Sequence, residues 1–92
     1  MLELKGFDAF KDSNGRITRL PAKLSRKNKL SIELLEAFEH GVTYTEPELN
    51  EILKAHLDDF ALVRRTLVDM GLLERDAYGK QYRRVAAALA KA

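Results

Sequence analysis

The tightest constraint in this sequence is the stretch from Thr45 to Asp59. Thr45-Glu46-Pro47-Glu48 has the pattern of a capping box. Thr45 offers its hydroxyl to a backbone N–H in the first turn of a helix, Glu48 reaches back to the N–H of Thr45, and Pro47 sits where no helical N–H is needed. Leu49, Ile52, Leu53 and Leu57 then recur at helical spacing along one face. Asp58 or Asp59 offers an N-cap for another helix almost at once. Two amphipathic helices with so little chain between them predict a tight helix-turn-helix.

The second of these helices has Phe60, Val63, Leu67 and Met70 as its inward stripe, with Ala61, Leu62, Arg65 and Asp69 facing outward. Gly71 supplies its left-handed stop. Leu72-Leu73-Glu74-Arg75 and Gln81-Tyr82-Arg83-Arg84 read as strands around the turn Asp76-Ala77-Tyr78-Gly79-Lys80, where Gly79 takes the positive φ of a short hairpin loop. Upstream, a helix is predicted over 25–40, with Leu30, Leu34, Ala37 and Phe38 inward, Glu33, Glu36 and Glu39 outward, and Gly41 as its stop. Asp12-Ser13-Asn14-Gly15 is a turn cluster. After it, Arg16-Ile17-Thr18-Arg19-Leu20 alternates polar with apolar up to Pro21, which predicts a short strand. The expected fold is a small α+β winged helix-turn-helix: three core helices, a C-terminal β-hairpin wing and a short N-terminal strand, in one domain over residues 1–92. Residues 85–92 form an Ala-rich tail of high helix propensity.

Ninety-two residues, 46% hydrophobic and 33% charged, suffice for one core and not two. No apolar run approaches the ~20 residues of a bilayer span, and the N-terminus lacks a signal-peptide layout. The expectation is a cytoplasmic protein with no membrane partner. The absence of cysteine excludes disulfides, thiolate catalysis and most structural zinc sites. There is no Gly-x-Ser-x-Gly elbow, phosphate-binding glycine loop or dinucleotide fingerprint, so neither an enzyme nor a cofactor is expected. His40, His56, Asp58 and Asp59 have metal-binding chemistry but no recognised ligand spacing. Capping of a helix dipole by His40 and packing of His56 are the readings favoured over a metal site.

The formal net charge is only +2, but its distribution is uneven. Residues 13–32 carry Arg16, Arg19, Lys23, Arg26, Lys27 and Lys29 without one acid, and residues 33–59 carry eight acids against Lys54. Positive charge returns with Arg64, Arg65, Arg75, Lys80, Arg83 and Arg84. Such separation makes a bipolar surface, in which the basic segments either anchor phosphates or form solvated faces paired with the acidic helices.

Gly15-Arg16-Ile17-Thr18-Arg19-Leu20-Pro21-Ala22-Lys23, Tyr44-Thr45-Glu46, Leu49-Asn50-Glu51-Ile52-Leu53, Asp58-Asp59-Phe60, Arg64-Arg65 and Gly71-Leu72-Leu73-Glu74-Arg75 occur in order. Over about residues 7–84 the chain thereby resembles the bacterial family called domain of unknown function 2087. That family is found alone or joined to halves resembling arsenical-repressor-type regulators, so the resemblance implies a role in transcription and implies no catalytic residues. With the helix-turn-helix order, it makes duplex DNA the expected partner, with Arg16, Arg19, Lys23, Arg26, Lys27, Arg65, Arg75, Lys80 and Arg83 as the candidate contacts. Arg65 is the base-reading candidate and Leu62 a thymine-methyl contact, whereas the Arg64/Arg65 pair either reads a base or braces helix carboxylates. Tyr78 at the wing tip packs on a sugar or simply fills the loop. The alternative is a protein-interaction or homodimerisation module that has the winged-helix shape without DNA binding. Small-molecule sensing in the cleft between helix and wing has no ligand-selective constellation in the sequence.

Overall fold

The structure is a computed structural model and describes residues 2–85. The residues from 86 onward, and with them most of the predicted Ala-rich tail, lie outside the described residues. The predicted capping box is formed: the Thr45 hydroxyl accepts the Glu48 N–H at 3.3 Å and Glu48 accepts the Thr45 N–H at 2.8 Å. It opens helix α2, Glu46–Lys54. Thr45 is also the last residue of strand β1, Tyr44–Thr45, and the Glu46 N–H donates to the Lys80 carbonyl at 3.0 Å. One short run therefore ends a strand, caps a helix and ties both to the wing.

Helix α1, Leu24–Leu34, precedes β1, and helix α3, Phe60–Asp69, follows α2. Strands β2, Leu73–Arg75, and β3, Gln81–Arg84, form the hairpin. The sheet is antiparallel in the order β1-β3-β2, with Tyr44 opposite Tyr82 and Glu74 opposite Arg83. Three helices with this three-stranded sheet are consistent with a small winged helix-turn-helix domain. The core joins all of these elements, with Leu30, Leu34, Leu49, Leu53, Leu57 and Leu67 fully excluded from water.

Three local expectations change. The first helix stops at Leu34, and after a 3-10 turn at Leu35–Ala37 the chain is extended at Phe38. Tertiary contacts override the helical periodicity here. Phe38 is buried edge-on against Tyr44 with ring centroids 5.3 Å apart, and its carbonyl accepts from Arg84, which a continuing helix would prevent. Gly41, at φ +77°, therefore turns the connecting loop rather than ending the helix.

The strand predicted over 16–20 is reduced to bridges at Ile17, antiparallel to Lys11 and parallel to Leu57. Its neighbour on one side is the turn between α2 and α3. That turn offers only the His56 carbonyl, which accepts the Ile17 N–H, and the Asp58 N–H, which donates to the Ile17 carbonyl. A ladder cannot extend along a helix turn.

Met70 leaves the predicted stripe and is 39% exposed. The end of α3 is a Schellman turn in which the Gly71 N–H bonds the Val68 carbonyl and the Leu72 N–H bonds the Leu67 carbonyl. This reversal points Leu73, rather than Met70, into the core. Leu4 and Phe7, outside every predicted element, are buried and seal the core from the N-terminal side.

Leu67→Ala is expected to lower unfolding free energy by ~2–5 kcal/mol through the cavity it leaves. Loss of the cap in Thr45→Ala is expected to remove ~1 kcal/mol. Urea titrations of the two variants check both magnitudes and their order. Buried His56 gives a pH signature: desolvation holds its imidazole below the usual range, so the unfolded chain takes up the proton first. Stability is therefore complete above about pH 6.5 and falls as pH drops through that value. Glu48 and Asp76, held low by hydrogen bonds from backbone N–H groups, lose their contribution only near pH ~4 and below. Thermal melts from about pH 7.5 to 5.5 should show a falling Tm that His56→Leu flattens.

Candidate nucleic-acid interface

The arginines of the basic segment are largely engaged inside the molecule. Arg16 donates from Nε and Nη2 to the Lys54 carbonyl at 3.1 and 2.8 Å, and its Nη1 lies 2.7 Å from Asp58. Lys54 ends α2, so the guanidinium satisfies a free C-terminal carbonyl where the helix dipole favours a cation. Arg19 donates to the Ala9 carbonyl and lies 5.0 Å from the centroid of the Phe10 ring. Arg26 donates to the Gly6 carbonyl and stacks over Phe7 at 4.8 Å. These three candidates bind the N-terminal segment and the helix turn to the body of the domain. Lys23 and Lys29 are exposed and Lys27 is half-buried; none of the three forms an ion pair among the described residues.

Strand alternation sorts the wing in the same way. Residues opposite each other across a ladder share a face of the sheet, and successive residues change face. Leu73 and Arg84 are paired and inward, and so are Arg75 and Tyr82, whereas Glu74 and Arg83 point to the other side. Arg83 accordingly forms an ion pair with Glu74. Arg84 is buried, with Nη1 3.0 Å from the Phe38 carbonyl, Nη2 3.4 Å from Glu36 and Nε without a partner. Arg75 lies at the end of its strand and is exposed despite its inward face. Lys80 and Tyr78 are exposed in the hairpin loop.

On α3 the adjacent arginines separate. Arg64 Nη1 lies 2.7 Å from Asn50 Oδ1 and 3.2 Å from Glu46, so this side chain braces α3 against α2. Arg65 is exposed and has no acid partner among the described residues. Leu62 is half-buried.

Arg64, Arg65, Val68 and Asp69 of α3 meet Arg75 and Tyr82 of the wing around a cleft of about 300 Å³. Of the nine candidate contacts, this cleft brings together Arg65 and Arg75. A neighbouring depression of about 260 Å³ sets Glu74 and Asp76 against Arg75 and Arg83 and is balanced in charge. Tyr82 and Val68, outside the nine candidate contacts, also line the cleft, and both follow from simple periods. Tyr82 shares a sheet face with Arg75, and Val68 follows Arg64 by one helical turn.

His40 is exposed and His56 is buried. Among the described residues, no group of three or more histidines and carboxylates could hold a metal ion, and no helix is long and apolar enough to cross a membrane. No curated protein and no solved structure matches the chain. A family model does match: the one described as "Uncharacterized protein conserved in bacteria (DUF2087)" covers residues 16–84, from the Arg16 clamp to the end of the wing. That span is most of the chain, which therefore belongs to this bacterial family.

Proposed function

We propose that this chain is a cytoplasmic, non-catalytic module that binds duplex DNA and serves transcription, presenting α3 to the major groove and the wing to the flanking backbone. One observation carries the reading. Arg65 and Arg75 come from separate elements, lack acid partners among the described residues and border the same cleft. Guanidinium groups left without carboxylates are suited to phosphate oxygens and to the paired acceptors of guanine. Exposed Lys80 adds a phosphate contact at the wing tip, and Lys23, Lys27 and Lys29 add diffuse positive charge.

The acids that oppose such binding are partly neutralised. Glu46 pairs with Arg64 and Asp58 with Arg16, which leaves Asp69 as the carboxylate lining the cleft. The rival reading, a docking module for protein, has less on its side: among the described residues the exposed large apolar residues Leu24, Ile32, Met70 and Tyr78 are divided among α1, the end of α3 and the wing tip.

Fluorescence anisotropy with a labelled random duplex tests the proposal. Binding should be measurable at ~50 mM salt and weaken steeply as salt rises, because each neutralised phosphate releases counterions. Arg65→Ala and Arg75→Ala should each weaken binding and, where the contact is to a phosphate, reduce the log–log salt slope by about one. A duplex that fails to bind even at the lowest salt excludes this function.

A further inference from the structure

We infer that the cleft between α3 and the wing is a discrete site for one phosphate group with its attached sugar, rather than a stretch of generally positive surface. The inference deepens the duplex-binding reading and rests on it for the polymeric source of that phosphate. The same chemistry is offered by a free nucleoside monophosphate.

The cleft has two walls of different origin. Arg65 comes from a helix whose inward residues Val63 and Leu67 are fixed in the core, and Arg75 from a strand whose preceding residues Leu73 and Glu74 are in register with β3. Buried Tyr82, paired with Arg75 across the hairpin, belongs to the same lining. Each arginine is carried by an anchored element, so the ordering cost of binding is confined to the two exposed side chains. Arg64 also lines the cleft, as a paired wall residue. Its Nη1 is engaged by Glu46 and Asn50, which holds the side chain against the cleft wall.

The charge and size select the ligand class. The cleft is lined by two arginines without acid partners among the described residues, Arg65 and Arg75, against one such carboxylate, Asp69, so it retains an excess of positive charge. Forked donors from two directions suit a tetrahedral oxyanion, which offers acceptors to both, better than a planar carboxylate whose two oxygens serve a single fork. A volume of about 300 Å³ lies at the small end of the ~300–1,000 Å³ range of ligand pockets. It exceeds a bare phosphate and leaves room for a sugar beside Tyr82 and Val68.

The test is an amide-shift titration of the full chain with inorganic phosphate and, separately, with thymidine monophosphate, run beside the duplex titration. Shifts should saturate and concentrate at residues 64–69, 75 and 82, with the monophosphate binding more tightly than inorganic phosphate. Arg75→Gln should weaken both about tenfold, and Asp69→Asn should tighten both by about two- to fivefold. Lys5→Gln, an equal change of charge at an exposed position, should leave both unchanged. Equal shifts at Lys23, Lys27 and Lys29, or an equal loss in Lys5→Gln and Arg75→Gln, would overturn the discrete site. If the phosphate probes fill the cleft while the duplex does not bind, the site stands with a free phosphate ester as its ligand, and only the duplex reading falls. If the duplex binds with Arg75→Gln at full affinity and neither probe moves the cleft, the site falls and the duplex reading survives.

Discussion

The junction at Thr45 and Glu46 ties a strand, a helix and the wing together within two residues. Thr45 closes the short strand β1 opposite Gln81 while its hydroxyl caps α2, and the next N–H, of Glu46, bonds the Lys80 carbonyl. A helix N-terminus leaves several donors unsatisfied, and here the sheet and the capping box share the work of satisfying them. The consequence is geometric. The start of α2 is fixed to the wing, Arg64 bridges from α3 to Glu46 at that same end, and the cleft between α3 and the wing inherits its walls from this arrangement.

A second set of contacts fixes the opposite end of α2. Ile17 exchanges backbone hydrogen bonds with His56 and Asp58, and Arg16 closes over the Lys54 carbonyl and the Asp58 carboxylate. The turn of the helix-turn-helix is therefore held from outside by a segment distant in sequence. This explains why the most basic part of the chain contributes few free arginines to the surface. Guanidinium groups suit carbonyl-rich helix ends and aromatic faces, and Arg16, Arg19 and Arg26 are used in those ways. The lysines of the same segment, with a compact charge on a flexible stem, make no ion pairs among the described residues.

Charge in this protein is thus rearranged by folding rather than merely displayed. The acidic block at 33–59 meets basic residues from both flanking regions, through Arg84 with Glu36, Arg64 with Glu46 and Arg16 with Asp58. At exposed sites such pairs add little stability, but each removes an arginine from the set available to a phosphate. Arg65 and Arg75 remain, and they meet because an inward strand register brings Arg75 to the side of the sheet that α3 covers.

Features that depend on neighbours within a few residues were legible in the sequence. The capping box at Thr45 and Glu48, an aspartate cap on α3 that falls to Asp59 of the Asp58/Asp59 pair, the Gly71 reversal, the hairpin with Gly79 at φ +66°, the apolar face of α2 and the Val63 and Leu67 part of the α3 stripe are local, and the structure has them. Long-range packing set where the first helix ends, that Ile17 bridges a helix turn instead of joining a sheet, and that Leu4 and Phe7 close the core. It also decided which arginines are free, since the Lys54 carbonyl bound by Arg16 lies 38 residues away in the chain and the Phe38 carbonyl bound by Arg84 lies 46 away. Composition and period record that a residue is charged and which face it occupies. Whether that charge meets a carbonyl, a carboxylate or water depends on what packs against that face, and long side chains from distant segments settle it.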